Sequence, residues 1–530
     1  MAAADGWWTG HHGYAARIMS ALAADPDRTA LHWHGRTVPA AELARAVTGA
    51  AHALRRLGVG PGRVVGVLVA PNSPDMLVVR YATHLLGGAV CYLRSTNPGS
   101  TTLPLAADAQ LRILLDTSAA VLFTDPRHLD RARLLADRAR GRIAVTGFGV
   151  GVGEAAPAEP DGPEPAAAWQ PAALALVTFT SGSTGRPKGI SLPARAWESA
   201  VRATEASVAE GAEARLLVAT PLSHTAGPMA DAVLAAGGAV FLHERLEPAA
   251  LLRAVAEHRI TRTFLATAHL YQVLDQNRAE PADLSSLRQL IYSGSAAAPA
   301  RLAEANAVFG AVLVQGYGTS ESGRITLLDP GDHQDPTLLD TVGRPFPEVE
   351  VTVRDQDTGQ RLPVGAVGEV WVRSPHLMSG YWADPALSAL VLRDGWYRTG
   401  DIGRLDQRGY LHLLDRVADV VKTGGVKVYP AVVERELLAM PEVAQAVVYG
   451  VRDLDNNEHL HAAIVPRPGA RVTAEGVRAR VGAVLSALHV PEEVLLLCEL
   501  PLNASGKPDK PRLRSRETAP TPYTESELTR

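Results

Sequence analysis

Short apolar runs alternate with stretches of helical periodicity along this chain, and no other feature constrains the fold as strongly. Residues 38–58 carry apolar side chains at spacings of three and four, which predicts a helix that stops at Gly58. The apolar run 64–69 predicts a strand, and a second helical stretch follows it through Leu86. Because strands that alternate with helices are typical of a parallel sheet covered by helices, we predict an α/β fold.

The alternation is interrupted once and then changes character towards the C-terminus. Residues 150–171 are rich in Gly, Ala, Glu and Pro, which predicts a flexible surface loop. Further strands are predicted over 174–179, 216–220, 239–243, 262–266, 288–292 and 311–315, with helices such as 247–259 and 299–309 between them. After about residue 340 the apolar residues recur with period two, which indicates a small antiparallel barrel or sheet. A compact α+β segment follows from about residue 419, and the polar residues 517–530 predict a disordered tail.

A loop dense in glycine and hydroxyl groups follows the predicted strand 174–179. It reads Thr-Ser-Gly-Ser-Thr-Gly-Arg-Pro-Lys-Gly over residues 180–189. Glycines let a backbone approach an anion closely, and consecutive amides in a turn form an anion site, so the loop predicts a polyphosphate cradle. It does not fit the pattern G-x-x-x-x-G-K-[ST], because Pro187 precedes Lys188 and a glycine follows it. On composition alone, an ordinary polar surface loop remains the alternative.

Bulk composition excludes several classes of partner. The net charge of −4 over 530 residues gives no support for nucleic acid or an anionic membrane. No apolar run approaches the ~20 residues that span a bilayer, and residues 1–14 lack the pattern of a signal peptide, so we expect a cytoplasmic location. Cys91 and Cys498 lie far apart without metal-type spacing, and their apolar neighbours predict buried thiols.

The loop at 180–189 resembles the phosphate loop of the adenylate-forming superfamily, which includes acyl- and aryl-CoA synthetases, peptide-synthetase adenylation domains and firefly luciferases. Other motifs follow in the family's order: Pro-Leu-Ser-His at 221–224, Gly-Tyr-Gly-Thr-Ser-Glu at 316–321, Gly-Glu-Val at 368–370, Tyr-Arg-Thr-Gly-Asp at 397–401, Asp-Arg at 415–416 and Asn-Ala-Ser-Gly-Lys at 503–507. Since these motifs span most of the chain, it is identified as a member of this superfamily.

The resemblance implies a domain organisation and a reaction in two halves. A large layered N-terminal adenylation domain, with α/β sheets plus a small β-barrel, would occupy residues 1–416, and a small mobile α+β lid would occupy 417–516. In the first half-reaction a carboxylate attacks the α-phosphorus of ATP, giving an acyl-adenylate and pyrophosphate. A nucleophile then displaces AMP. The protein must hold two anions together and exclude water from the mixed anhydride.

The resemblance also implies which residues bind ATP. The β- and γ-phosphates would be gripped by Lys188 and the loop residues Thr180, Ser181, Gly182, Ser183, Thr184 and Gly185. The nucleoside would be held by Ser295, Ala296, Gly316, Tyr317 and Gly318, with Asp401 on the ribose hydroxyls and Arg416 between ribose and phosphate. Ser320 would contact the α-phosphate, and Glu321 would bind Mg²⁺, a hard cation that suits a carboxylate.

The C-terminal motif implies a catalytic lysine on a moving lid. Lys507 matches the lysine that steadies the carboxylate and the α-phosphate, where negative charge converges in the transition state. Rotation of the lid would withdraw this lysine and bring up a second-step loop containing Lys422, Gly424 and Gly425. The hinge position, usually Asp or Lys in the family, is Ala418 here. Either the pivot lies at a neighbour such as Asp419, or the second half-reaction does not use a full rotation.

The segment that begins at Pro221 is expected to wall the acid pocket. His224 is assigned a catalytic role together with Lys188 and Lys507. An apolar slot for an aromatic or medium-size aliphatic acid would be completed by Ala226, Gly227, Met229, Phe264, Gly294 and Ala296. The Phe-Asp pair with which amino-acid-activating members take the substrate ammonium is absent, and Asp231 comes too late to replace it. An α-amino acid is therefore disfavoured.

The acceptor of the acyl group is open between the CoA thiol, a carrier-protein phosphopantetheine and a free amine. The pattern around His224 favours CoA by a narrow margin, although free-standing amide synthetases of secondary metabolism share every motif quoted above. ATP and Mg²⁺ are implied in each case. A non-catalytic nucleotide-binding homologue is the alternative of another class. The presence of five charged site residues argues against it: Lys188, Glu321, Asp401, Arg416 and Lys507.

Overall fold

A computed structural model describes most of the chain. The described residues are 7–8, 11–93, 105–147, 169–180, 188–208, 213–423, 426–453, 457–503 and 507–515. The predicted loop at 150–171, apart from its last three residues, and the predicted tail at 517–530 lie outside them. In the part of the chain that is described, no helix is both long and apolar enough to cross a lipid bilayer.

The secondary structure confirms the predicted alternation of strands and helices. The first elements are α1 (Tyr14–Ala24), β1 (Thr29–Trp33), β2 (Arg36–Pro39), α2 (Ala40–Arg56), β3 (Val64–Leu68), α3 (Pro74–Leu85), β4 (Ala89–Tyr92), α4 (Ala107–Asp116), β5 (Val121–Thr124), α5 (Leu129–Arg138) and β6 (Ala144–Gly147). The next are β7 (Leu174–Thr180), β8 (Lys188–Pro193), α6 (Ala194–Val208), β9 (Arg215–Val218), α7 (Ala226–Ala235), β10 (Ala239–Leu242), α8 (Pro248–Glu257), β11 (Arg262–Ala266), α9 (Thr267–Ala279), β12 (Gln289–Ser293), α10 (Pro299–Phe309), β13 (Leu313–Thr319), β14 (Gly323–Leu328) and β15 (Arg344–Pro345).

Shorter strands dominate the remainder of the chain. These elements are β16 (Glu350–Arg354), β17 (Gly368–Arg373), β18 (Gly380–Tyr381), α11 (Pro385–Val391), β19 (Leu392–Arg393), β20 (Trp396–Leu405) and β21 (Leu411–Arg416). The last are β22 (Val421–Thr423), β23 (Val426–Val428), α12 (Pro430–Leu438), β24 (Val443–Arg452), β25 (Glu458–Pro466), α13 (Ala474–Val484), β26 (Glu493–Leu496) and α14 (Lys510–Ser515). Short 3₁₀ helices occur at Pro126–His128, Asp332–Gln334, Pro336–Leu338 and Ala487–His489.

Two mainly parallel sheets form the framework of the N-terminal part. Within the described residues, the larger sheet has the strand order β15-β14-β13-β12-β11-β9-β10-β1-β2, and its strands from β13 to β1 are parallel. The smaller sheet has the order β18-β8-β7-β4-β3-β5-β6, parallel from β7 to β6. In both sheets the carboxyl ends of the parallel strands lie at one edge, where ligands of open α/β sheets bind.

Apolar side chains bind these sheets and their helices into layers. Helices α1, α2, α3, α6 and α7 share one core with strands of both sheets. Helices α8, α9 and α10 cover the other face of the larger sheet, and α4 and α5 cover the other face of the smaller one. Strand β9 shows the alternation that this requires, because Leu216 and Val218 belong to the shared core and Leu217 to the opposite one. The predicted layered α/β fold is confirmed.

The C-terminal half of the prediction is also confirmed as to fold. Strands β16, β17, β20, β19 and β21 form an antiparallel half-barrel. The β22–β23 hairpin follows it, and the sheet β24-β25-β26 packs with α12 and α13 around its own apolar core. The domain boundaries at 416 and 516 stay a prediction.

Cys91 is buried as predicted, but the prediction for Cys498 is wrong, because its side chain is exposed. Its apolar neighbour Leu497 takes the inward position, and apolar neighbours alone do not determine which face a side chain occupies.

A buried ion pair ties together three of the central helices. Arg80 in α3 and Asp231 in α7 are both completely buried, with Nη2 and Oδ1 2.5 Å apart. The hydroxyl of Tyr81 donates to Oδ1 of Asp231 at 2.6 Å, and Nε1 of Trp197 in α6 donates to Oδ2 at 2.9 Å. Both carboxylate oxygens are therefore engaged inside the core. This placement accords with the prediction that Asp231 does not take a substrate ammonium.

The ion pair should contribute strongly to stability. Asp231→Ala leaves the Arg80 guanidinium buried without its carboxylate, which should lower the free energy of unfolding by about 3–5 kcal/mol. Urea unfolding followed by tryptophan fluorescence measures the change in this free energy from the first unfolding transition. Asp108→Ala is the matched control, because it removes the carboxylate of the exposed Arg138–Asp108 pair. Such an exposed pair should contribute less than about 1 kcal/mol. Equal losses for the two variants would contradict the role given to Asp231.

Candidate active site

The hairpin of β7 and β8 carries the predicted phosphate loop at its tip. Thr180, the last residue of β7, pairs with Lys188, the first residue of β8. The loop residues Ser181, Gly182, Ser183, Thr184 and Gly185 lie outside the described residues. The ammonium of the half-buried Lys188 lies 5.8 Å from the centre of the Tyr381 ring. The structure therefore locates the two ends of the predicted loop, Thr180 and Lys188, next to each other.

A second wall of the site lies at the carboxyl ends of β12 and β13, which are parallel neighbours. The turn after β12 carries Gly294, Ser295 and Ala296, and all three are exposed. Gly294 has a φ of +106°, a conformation that residues with a side chain rarely adopt. Strand β13 turns back into β14 through residues 320–322, which puts Ser320 and Glu321 in the turn. Residues from two predicted nucleotide motifs thus share one sheet edge.

Asp401 is the most firmly held carboxylate of the site. It is 5% exposed and lies in β20 directly opposite Arg416 in β21. The hydroxyl of Tyr317, which lies between Gly316 and Gly318 in β13, donates to Oδ2 of Asp401 at 2.6 Å. Nε of Arg416 lies 3.1 Å from Oδ1. The charge of Asp401 raises the pKa of Arg416 above its usual range. Three residues predicted from three separate motifs therefore meet.

Lys507 reaches the same site from the C-terminal part of the chain. Its turn is closed by Asn503, whose amide donates to the Lys507 carbonyl at 2.7 Å and whose Oδ1 accepts from the Lys507 amide at 3.2 Å. Cε of Lys507 lies 3.6 Å from the point that a Cβ on Gly294 would occupy. Burial, followed by the positive charge of Arg416, lowers the pKa of Lys507 to about 8, while Asp401 acts in the opposite direction. The predicted catalytic lysine thus lies beside the predicted nucleotide site.

His224 lies in the turn between β9 and α7, where the charge of Lys507 acts on its imidazole. Burial, and then that charge, lowers the pKa of His224 to about 4, so the imidazole is neutral at pH 7. The turn is held from both sides through Leu222. Oδ1 of Asn72 accepts from the Leu222 amide at 3.1 Å, and Nη1 of Arg80 donates to the Leu222 carbonyl at 3.0 Å. The buried ion pair described above therefore also positions the segment that carries His224.

The residues predicted to form the acid pocket lie in or against the core between the sheets. Ala226 and Met229 are buried there, and the half-buried Phe264 packs against the same cluster. Gly227 is required by packing, because a Cβ at this position would lie 2.3 Å from a backbone carbonyl oxygen and 2.9 Å from the Trp197 ring. The contribution of these residues to acid binding stays a prediction.

The residues predicted to form the second-step loop and the hinge follow β21 in the chain. Lys422 is exposed in β22, and its backbone amide donates to Oε2 of Glu458 at 2.6 Å, while Gly424 and Gly425 lie outside the described residues. The exposed Ala418 follows β21 in a turn.

The carboxylate of Asp419, the residue after Ala418, is engaged by two cations of α14. It lies 3.8 Å from Nζ of Lys510 and 3.5 Å from Nη2 of Arg514.

Three residues that contact segments of the site are not predicted from any motif: Asn72, Arg80 and Tyr381. Each acts on a segment that is distant in sequence, and a single sequence contains no periodic or local signal for such a contact. The residues found through motifs, by contrast, supply the side chains that meet at Asp401.

Comparisons with known proteins identify the family of this chain. The family model described as "AMP-binding enzyme" matches residues 19–382, and the model described as "AMP-binding enzyme C-terminal domain" matches residues 432–507. The chain belongs to the AMP-binding enzyme family. It is therefore an ATP-dependent adenylate-forming ligase.

The named relatives include CoA ligases and an amide bond synthetase. The chain is 35% identical to a feruloyl-CoA synthase from an Amycolatopsis species, over 93% of this chain and 96% of the relative. It is 34% identical to an indoleacetate–CoA ligase from Aromatoleum aromaticum, over 92% of this chain and 95% of the relative. Among solved structures it is similar to the amide bond synthetase McbA from Marinactinospora thermotolerans, with 38% identity, a TM-score of 0.83, and coverage of 95% of this chain and 99% of that one.

The lowered pKa of Lys507 predicts an unusual pH dependence. A lysine with a pKa of about 8 loses its positive charge as the pH rises through 8, whereas an ordinary lysine keeps it to about pH 10. Since kcat/KM reports the free enzyme, its value for acid-dependent pyrophosphate release should fall above about pH 8. Lys507→Arg should remove this fall from whatever activity it retains, and Lys422→Arg should leave it in place. A wild-type profile that stays flat to pH 10 would contradict the assignment.

Proposed function

We propose that this site forms an acyl-adenylate from ATP and a carboxylic acid, with the residue roles implied by the family motifs. The observation that carries the proposal is the placement of Lys507 beside Gly294, Asp401 and Arg416, although the lysine comes from the far end of the chain. A lysine without a role in binding or catalysis would not be stabilised by burial next to an arginine, because like charges repel and desolvation costs free energy. A site for anions explains both charges, since ATP and a carboxylate together supply the missing negative charge.

The first half-reaction assigns one task to each group. Asp401 accepts the ribose hydroxyls, and the loop at 180–185 with Lys188 holds the phosphates that leave as pyrophosphate. A carboxylate oxygen of the acid attacks the α-phosphorus, and the bond to the bridging oxygen of pyrophosphate breaks. Protonated Lys507 stabilises the negative charge that gathers between the two anions. Neutral His224 adds no further positive charge to those of Lys507 and Arg416, which supports an orienting task for its imidazole.

Glu321 suits the Mg²⁺ that accompanies ATP. Magnesium in nucleotide sites is commonly bound through one or two carboxylates together with phosphate oxygens and water. No cluster of three or more metal-ligating side chains occurs within the described ranges, so a complete protein cage is not the arrangement that these residues offer. A single carboxylate in the β13–β14 turn, close to the phosphate-binding hairpin, fits a metal that is held mainly by the nucleotide. When bound, the ion neutralises phosphate charge.

We infer that the acid is aromatic or a medium-size aliphatic one. The apolar Phe264 and the small residues Ala226 and Gly227 are the ones that the family pattern assigns to the acid pocket. The relatives that act on ferulic and indoleacetic acids, by their names, support an aromatic substrate.

For the second half-reaction we infer transfer to an amine, and the hinge is the observation that favours it. Ala418 lacks the charged side chain expected at the family's hinge, and Asp419 is paired with Lys510 and Arg514 within the C-terminal unit. These pairs make Asp419 part of that unit and argue against it as the pivot. A small amine can reach the adenylate without a large rotation of the lid, and the 38% identity to an amide bond synthetase supports this choice.

Transfer to the CoA thiol is the second candidate. It is favoured by the names of the curated relatives, which include the feruloyl-CoA synthase and the indoleacetate–CoA ligase. A carrier-protein thiol is chemically equivalent to CoA and would require an additional protein partner. Both thiols would attack the acyl carbon in the same way, with AMP as the leaving group.

An acceptor panel distinguishes the two candidates. The enzyme is given ATP, Mg²⁺ and a panel of aromatic and aliphatic acids, with CoA and a set of amines offered in competition, and the products are read by mass spectrometry. We expect amides that form without CoA. A thioester as the main product would reject amine transfer and support CoA. Ala418→Asp, which restores a charged hinge, should raise the ratio of thioester to amide if the hinge limits rotation. An unchanged ratio would reject the hinge argument alone.

A further inference from the structure

Tyr381 lies between Glu321 and Lys188, two charged residues of the predicted phosphate site. Strand β18 consists of Gly380 and Tyr381 and pairs with β8, so that Tyr381 is opposite Ile190, two residues after Lys188. This short strand forms the edge of the smaller sheet. Its position brings Tyr381 close to the end of the loop that precedes β8, although almost two hundred residues separate the two in sequence.

The backbone around Tyr381 already connects Glu321 to that loop. The amide of Met378 donates to the carbonyl of Glu321 at 2.7 Å, and the amide of Trp382 donates to the carbonyl of Gly189 at 2.6 Å. The segment 378–382 is therefore fixed at one end to the β13–β14 turn and at the other to the beginning of β8. Movement of one element would be transmitted to the other.

The side chain of Tyr381 makes the same connection between the charged groups themselves. Its hydroxyl donates a hydrogen bond to Oε1 of Glu321 at 3.0 Å. Its ring centre lies 5.8 Å from the ammonium of Lys188, within the range of a cation–π contact. One residue thus contacts both the carboxylate assigned to Mg²⁺ and the lysine assigned to the phosphates.

These contacts restrict the Glu321 carboxylate and the Lys188 ammonium but leave both able to bind a ligand. A carboxylate offers about four lone-pair directions, so a single phenolic donor on Oε1 leaves the others open to a cation. Without this partner, a glutamate in a turn would sample several rotamers, and ordering it would cost conformational entropy. The ring attracts the Lys188 ammonium but accepts no full hydrogen bond from it, so the ammonium keeps its three donors for phosphate oxygens.

We propose that Tyr381 is a positioning residue, which orients Glu321 for Mg²⁺ and Lys188 for the phosphates of ATP. This inference rests on the proposed function, because it takes the roles of Glu321 and Lys188 from there. Outer partners of metal ligands typically change metal affinity by about 10–100-fold when they are removed. The hydroxyl should therefore matter for the requirement for Mg²⁺, and the ring should matter for the nucleotide.

Tyr381→Phe tests the hydroxyl. We expect the Mg²⁺ concentration that gives half-maximal acid-dependent pyrophosphate release to rise about ten-fold. By titration calorimetry, ATP affinity should change little in EDTA and should gain less from added Mg²⁺ than in the wild type. Tyr381→Leu, which also removes the ring, should raise the Mg²⁺ requirement and weaken ATP binding in EDTA as well. A wild-type Mg²⁺ requirement in both variants would overturn the proposal.

Two further variants separate the possible causes. Tyr410→Phe removes another hydrogen bond from a tyrosine hydroxyl to a carboxylate, that of Asp332 at 2.6 Å, and should leave the Mg²⁺ requirement unchanged. An equal shift in Tyr410→Phe would reduce the effect to general loosening and overturn the proposal. Glu321→Gln should raise the requirement at least as far as Tyr381→Phe. If Glu321→Gln has no effect, the metal role of Glu321 fails; if only Tyr381→Phe has none, the positioning role alone fails.

Discussion

The buried carboxylate of Asp401 connects the three parts of the chain. It accepts a hydrogen bond from Tyr317 of the larger sheet and pairs with Arg416 at the end of the half-barrel, and its charge acts on Lys507 of the C-terminal unit. Each partner arrives on a different element, so the site exists only when all three parts are folded together. The Tyr317 hydroxyl donates to this carboxylate away from solvent, where a charge-assisted hydrogen bond is worth more than at the surface. The proposed nucleotide site and the environment of Lys507 therefore share one carboxylate.

The charges around Lys507 are balanced in a way that bound anions would change. In the free protein, burial and Arg416 outweigh the carboxylates nearby, and the pKa of the lysine is lowered to about 8. ATP and the substrate carboxylate add negative charge, which favours the protonated lysine. The ammonium is thus stabilised most when both anions are present. Release of pyrophosphate after the first half-reaction would remove part of that negative charge, and the ammonium would then be stabilised less.

The sequence predicts elements better than it predicts the contacts between them. The helix at 38–58 and the strand at 262–266 follow from local periodicity, and the structure gives them as Ala40–Arg56 and Arg262–Ala266. The meeting of Asp401, Arg416 and Lys507 was implied by family motifs, and no local pattern contains it. The predicted burial of Cys498 is wrong, because apolar neighbours in the sequence do not determine which face a side chain occupies. Arg80 contacts Leu222 across 142 residues and Tyr381 contacts Glu321 across 60, and only the folded chain reveals these partners.

Exchange of labelled pyrophosphate into ATP tests the central claim most directly, because it reports formation of the acyl-adenylate without any acceptor. The account predicts exchange that depends on both a carboxylic acid and Mg²⁺. It also predicts that Lys507→Ala lowers this exchange by orders of magnitude, while transfer from a preformed acyl-adenylate is largely retained. Exchange that needs no acid, or an equal loss of both steps in Lys507→Ala, would contradict it. Binding of ATP with no exchange for any acid would indicate a nucleotide-binding protein without this catalysis.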